Sequence, residues 1–196
     1  MDLKAIVNVH LNAFPDFFMS KLGPRFLHQY YRCILEYPRG LLVMEESNEG
    51  CIGFVAGFVD SASFYRELQR RRIVLSVAAC VGILRRPHSL IPLLANERRT
   101  KLAARLPSDP NTAELSSLAV LPDASGLGVG SRLLRRFVDA ARDRGAAKIV
   151  LTTDADDNGA VNQFYQKRGF ALVRTFEARR GRRLNEYAFL TGRDST

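Results

Sequence analysis

The sequence predicts an α/β fold: a mixed central β-sheet flanked by helices, with a basic helical insertion between two strands at about residues 60–111. Three observations predict it. The 196 residues suit one domain, 46% are hydrophobic and 25% charged, and that balance excludes a disordered or fibrous chain. Apolar residues recur with helix spacing in some segments and strand spacing in others, and the two kinds alternate along the second half. The charge is uneven. Residues 60–111 hold ten Lys/Arg against four Asp/Glu, which is +6 of the net +9.

Leu3, Ile6, Val7, Leu11 and Phe14 repeat at helix spacing until Pro15 ends the pattern. After the aromatic pair Phe17–Phe18, Gly23–Pro24 starts a second helix. Its stripe of Phe26, Leu27, Tyr30, Tyr31, Ile34 and Leu35 stops at Pro38 and Gly40. Two strands follow, 41–45 and 51–59, joined by an Asn48-Glu49-Gly50 turn. The insertion contains twelve residues, 73–84, in which only Ser76 is polar, between Arg70-Arg71-Arg72 and Arg85-Arg86-Pro87. As a helix this run spans about 18 Å, short of the ~30 Å hydrocarbon core, so it does not cross a membrane. A further helix is expected over 90–106. Beyond it the pattern reads strand (113–120), helix (128–144), strand (148–152), helix (159–168), strand (170–175), a basic turn at Arg179–Arg183 and a last strand at 185–190.

Cys33, Cys51 and Cys80 are far apart in apolar stretches, which reads as reduced buried thiols of a cytoplasmic protein. His10, His28 and His88 are equally scattered, so no metal site is expected. The N-terminus has no basic-then-apolar leader pattern. The positive excess suits an anionic partner, whether a phosphorylated cofactor, a nucleic acid or an anionic membrane face.

The most informative stretch is Ala113 to Ser131. A strand ends at Pro122, then Gly126, Gly128 and Gly130 lead into a helix carrying Val129, Leu133, Leu134, Phe137 and Ala141 on one face. Glycines let backbone N–H groups approach a ligand, and the helix start adds about half a positive charge, so the pair suits a phosphate or diphosphate. A tight structural turn is the other reading of the same glycines. The spacing is not GxGxxG, and no Gly-Lys-Ser/Thr follows, which disfavours the dinucleotide fold and the P-loop. A second block, Asn158 to Phe170, places Asn158 as a helix N-cap, Gly169 just past the helix end and Phe170 at the start of a strand.

These two blocks carry a resemblance. Glu114 to Leu134 resembles motif A of the GCN5-related N-acetyltransferase (GNAT) superfamily, whose loop Arg/Gln-x-x-Gly-x-Gly/Ala is matched by Ser125, Gly126, Leu127, Gly128, Val129 and Gly130. Ser125 stands where the family has Arg or Gln, which removes a long side chain from the loop. Asn158, Tyr165 and Gly169-Phe170 match motif B at the family's spacing. The resemblance implies the GNAT fold over residues 1–196, an acetyl-CoA-binding core at 112–192, and acetyl transfer from acetyl-CoA to an amine by direct attack. Members usually open with a strand before the first helix, whereas this chain begins helix-like; either the sheet lacks that edge strand or the natural start lies upstream.

The resemblance also implies roles. Glu114 is the candidate general base, with an ordinary strand-edge carboxylate as the alternative. Tyr165 is the candidate acid for the coenzyme thiolate, with a core aromatic as the alternative. The N–H of Leu118 would polarise the thioester carbonyl and Val120 would bond the pantetheine arm. Ser125, Gly126, Leu127, Gly128, Val129, Gly130 and Ser131 would hold the diphosphate, and Asn158 would bond the coenzyme or cap its helix.

The acceptor is expected over the first two helices and the C-terminal hairpin, with an amino sugar or envelope-polysaccharide precursor preferred by a loose likeness of the insertion. The apolar run with its arginines (73–86) suits an anionic membrane surface or packing on the sheet. Two other readings stay open: a basic binding module without catalysis, and a GNAT enzyme using another acyl-CoA. The basic clusters lie in predicted helices and a turn rather than among aromatics on an exposed strand, so no nucleic acid is expected. Self-association is left open.

Overall fold

A computed structural model describes residues 1–84, 109–178 and 181–192. The order is α1 (Leu3–Ala13), α2 (Phe18–Lys21), α3 (Pro24–Glu36), β1 (Gly40–Ser47), β2 (Gly50–Val59), α4 (Ser61–Arg70), α5 (Arg72–Leu84), β3 (Thr112–Val120), α6 (Val129–Asp143), β4 (Lys148–Asp154), α7 (Gly159–Gln166), β5 (Ala171–Glu177) and β6 (Arg183–Leu190). The expected mixed α/β architecture is present, and α4 and α5 form a helical insertion between β2 and β3. The helix expected over 90–106 and residues Arg179 and Arg180 of the basic turn lie outside the described residues.

Local chemistry sets the boundaries. Asp2 caps α1 by accepting from the N–H groups of Lys4 and Ala5. α3 begins at Pro24 after Gly23 at φ 89°, a backbone conformation that a side chain would strain. Among the described residues no strand precedes α1, and β1 forms one edge of the sheet.

The six strands run in the order β1-β2-β3-β4-β6-β5. All neighbours are antiparallel except β3 and β4. One face carries α6 and buries Val55, Leu115, Leu133, Phe137, Ile149 and Tyr187. The other carries α1 and α3 and buries Ile6, Tyr31, Ile34, Phe54, Phe58 and Phe64. Within the insertion, α5 buries Leu75 and Ala79 while Ile73, Val74 and Val77 stay exposed. Cys33 is buried and Cys51 half-buried, and both are free thiols.

Two irregularities shape the sheet centre. β3 pairs with β4 only over Thr112–Glu114, against Lys148–Val150, so from Leu115 onward the two parallel strands part. The β2–β3 register also shifts between Ala56 and Gly57, which leaves Ser116 as the extra residue of a bulge on β3. The bulge turns both Ser116 and Ser117 toward α3, where Tyr30 (2.6 Å) and Tyr31 (3.3 Å) meet their hydroxyls.

Candidate active site

The glycine loop sits where β3 ends. Leu121 donates to the Ile52 carbonyl of β2 at 2.9 Å. By strand alternation, the N–H groups of Val120 and Leu118 then point the opposite way, toward the edge β4 has vacated. Beyond Pro122–Ala124, Ser125 is extended and donates to the Pro122 carbonyl at 3.0 Å. Gly126 (φ 80°) and Gly128 (φ 74°) take left-handed conformations that turn the chain into α6. Ser131 and Arg132 both donate to the Gly128 carbonyl. Among the described residues, the amides of Gly126, Leu127, Gly128, Val129 and Gly130 have no backbone or side-chain acceptor. Five consecutive N–H groups at a helix start form the cradle an anion requires.

The loop is braced from outside. Arg132 donates to the Leu127 carbonyl (2.9 Å) and, with Arg136, holds Glu45 of β1. Arg168, just past the end of α7, approaches the loop at Ser131. Its guanidinium stacks over the Phe164 ring at 3.8 Å, donates to the Phe164 carbonyl at 2.9 Å, and reaches the Ser131 hydroxyl through Nε and Nη2. Among the described residues it has no carboxylate partner. The sequence signal for it is indirect: Ser125, in place of the family's Arg or Gln, leaves the loop without a long polar side chain of its own.

The strand, the loop helix and α7 converge at Gly130. A side chain there would come within 3.4 Å of the Phe164 ring and 3.7 Å of Leu118. Next to Phe164 in sequence, Tyr165 is buried among Phe164, Phe170 and Tyr187. Burial pushes its phenol above the ordinary tyrosine value, so it keeps its proton. Among the described residues no hydrogen bond reaches its hydroxyl. Asn158 departs from expectation. It occupies the N-cap position of α7, but its side chain makes no cap and instead donates to Thr153 Oγ1 (2.7 Å) and the Asp154 carbonyl (3.2 Å). With its Nδ2 held by the end of β4, Asn158 makes no bond from Oδ1 to the helix N–H groups. Gly169 ends α7 as expected, at φ 83°, with Phe170 donating to the Tyr165 carbonyl.

Glu114 lies where β3 and β4 part, on the face opposite α6. Its carboxylate is half-buried and accepts from Ser61 Oγ (2.9 Å, Oε2) and Tyr65 OH (2.7 Å, Oε1), both from α4. Sequence reasoning missed these two donors because α4 read only as part of a basic insertion. In the basic turn, Arg182 pairs with Asp154 and Arg183 with Asp156. A separate cavity of about 640 Å³ lies between α1, α3 and α5, lined by Val7, Leu11, His28, Val74 and Val77, and not by the glycine loop, Glu114 or Tyr165. Among the described residues, no helix is long and apolar enough to cross a membrane, and no cluster of metal-ligating side chains occurs.

The sequence matches the acetyltransferase (GNAT) family over residues 3–170. The chain belongs to that family. The chain is 32% identical over 81 residues to N-alpha-acetyltransferase 30 of Schizosaccharomyces pombe, covering 41% of this chain and 47% of that one. It is 37% identical over 71 residues to mycothiol acetyltransferase of Paenarthrobacter aurescens, covering 36% and 22% respectively. The aligned stretch thus spans less than half the length of either curated relative. Among solved structures, yncA of Salmonella typhimurium, determined with its cofactor acetyl-CoA, superposes with a TM-score of 0.61 at 14% identity, covering 100% of this chain and 91% of that one. At that identity the likeness is one of fold.

Proposed function

We propose that the enzyme moves an acetyl group from acetyl-CoA to the primary amine of a small molecule by direct attack. The observation that carries this reading is the row of five amides from Gly126 to Gly130 that have no acceptor among the described residues, beside the edge of β3 that β4 leaves open. An acetyl-CoA-bound neighbour of the same fold and relatives named for acetyl transfer support it.

The amides of the 126–130 loop take the diphosphate, Ser131 and the Arg168 guanidinium adding a hydroxyl and a positive charge beside it. Val120 bonds the pantetheine arm along the open edge, as a neighbouring strand would. Ser125 contributes only its backbone, and Asn158 secures the end of β4 next to the coenzyme. Bound acetyl-CoA supplies an activated thioester, and the protein supplies three things around it. The N–H of Leu118 polarises the thioester carbonyl. Glu114 accepts the proton that the amine must lose, directly or through water. For a lysine-like amine of pKa about 10.4, reaching the neutral form at pH 7 costs about 4.6 kcal/mol, from 3.4 units at 1.36 each, which is why a base is needed. Tyr165, held in its protonated form, gives its proton to the departing sulfur as the C–N bond forms and the C–S bond breaks.

Within primary amines, an amino sugar or an envelope-polysaccharide precursor is the proposed acceptor. The test is thiol release from acetyl-CoA against a panel: glucosamine, spermidine, an aminoglycoside and a tripeptide with a free N-terminal amine. Release with glucosamine above the other three supports the reading in full, release with another amine keeps the reaction and replaces the acceptor, and release with none overturns it.

A further inference from the structure

Glu114 is half-buried at the parting of two strands, and its use as a base depends on what holds its carboxyl group. Glutamate has three rotatable bonds, and a base that samples several rotamers spends little time where the amine can reach it. Both oxygens of Glu114 are nevertheless engaged, one by Ser61 and one by Tyr65. The two donors stand at i and i+4, which places them on one face of α4.

That helix is itself firmly seated. Asp60 caps it through the Ser63 N–H (3.2 Å), and the fully buried Phe64 stacks on Phe58 of β2 with ring centroids 3.8 Å apart. Tyr65 packs edge-on against the same Phe58. The hydroxyls are therefore presented by a rigid element, not by a loop. Each carboxylate oxygen accepting one O–H keeps further lone-pair capacity, so the clamp fixes direction without using up the basic sites. Among the described residues, Tyr30 of α3, bonded to Ser116, is a further titratable group near this carboxylate, and its phenol is pushed above its ordinary value mainly by burial, with Glu114 adding to the shift.

We infer that Ser61 and Tyr65 are positioning residues for Glu114, so that the first helix of the 60–111 insertion completes the amine-activating half of the active site. This rests on the reading of Glu114 as the base. It gives the insertion a part in turnover that neither its charge nor its hydropathy suggests.

The test combines acetyl-CoA affinity by calorimetry, steady-state thiol release with the panel amines, and a crystal structure of the Ser61→Ala/Tyr65→Phe double variant. Each single variant, Ser61→Ala and Tyr65→Phe, is expected to lower kcat by roughly tenfold to hundredfold with acetyl-CoA affinity unchanged, and Ser61→Thr to restore most of it. In a Glu114→Gln background, Tyr65→Phe is expected to cost nothing further, since the clamp then has no base to hold. The double-variant crystal is expected to show the Glu114 carboxylate displaced or in several rotamers, a readout that needs no acceptor. Full turnover in both single variants beside a crippled Glu114→Gln overturns the clamp and leaves the base in place. Full turnover in Glu114→Gln overturns the base and the clamp with it, and an undisplaced carboxylate in the double variant overturns the clamp alone.

Discussion

Replacing Tyr165 by phenylalanine deletes one oxygen and leaves the ring among Phe164 (5.1 Å), Phe170 (5.6 Å) and Tyr187 (6.3 Å). Among the described residues the hydroxyl has no hydrogen-bond partner, so its loss orphans no buried group and stability is expected to hold to within about 0.5 kcal/mol. Turnover is a different matter. A positioned general acid contributes roughly 10²- to 10⁴-fold, which at 1.36 kcal/mol per tenfold is about 2.7 to 5.4 kcal/mol of barrier. Continuous thiol detection is therefore expected to show kcat reduced at least ~100-fold. Calorimetry with acetyl-CoA and a thermal melt are expected to match the parent. The pH dependence supplies a second check. Burial raises the phenol above its ordinary value of about 10, so the acid stays protonated through alkaline pH and the parent loses no activity through Tyr165 below about pH 10. Unchanged kcat in the Tyr165→Phe variant would refute the reasoning and return Tyr165 to the role of a core aromatic.

Arg168→Gln removes the cation beside the loop, and a charge-assisted bond of about 1.5–3 kcal/mol corresponds to a loss of roughly 10- to 100-fold in acetyl-CoA affinity by calorimetry, with Arg168→Lys falling between. Gly128→Glu places a carboxylate at the loop on a backbone held at φ 74° and is expected to abolish acetyl-CoA binding, while Gly128→Ala costs stability of about 1 kcal/mol for the left-handed conformation. His10 is buried with Nδ1 2.6 Å from the Tyr31 hydroxyl and Nε2 without a partner among the described residues; burial lowers its pKa to about 4. Because the folded value lies below the unfolded 6.5, this group's contribution to stability is complete above pH 6.5 and is lost as pH falls toward 4, by up to about 3 kcal/mol. Urea melts at pH 7 and pH 4.5 are expected to show a smaller acid-induced drop in His10→Leu than in the parent.

What could be read from the sequence divides along a physical line. Patterns that depend on neighbours in the chain were legible: Gly23-Pro24 starting α3, Gly126 and Gly128 turning β3 into α6, and Gly169 ending α7. Features that depend on residues distant in the chain were not. Asn158 reads as a cap because Asn suits that position, but its side-chain amide is taken by Thr153 and the Asp154 carbonyl, which become neighbours only once β4 is placed. Ser61 and Tyr65 reach Glu114 across 53 and 49 residues, and no local spacing announces such a contact. The bulge at Ser116 is of the same kind, since it is defined by the partner strand. Arg168 sits between the two cases: its place next to Gly169 was visible, but its approach to Ser131 required the packing of α7 on α6.

The amides at the start of α6 carry the proposed coenzyme binding, and an amide-resolved NMR titration with coenzyme A addresses them directly. The largest shifts are predicted at Gly126, Leu127, Gly128, Val129 and Gly130, saturating together with the calorimetric binding curve. Binding that leaves those five resonances unmoved, or no binding at all, would contradict it.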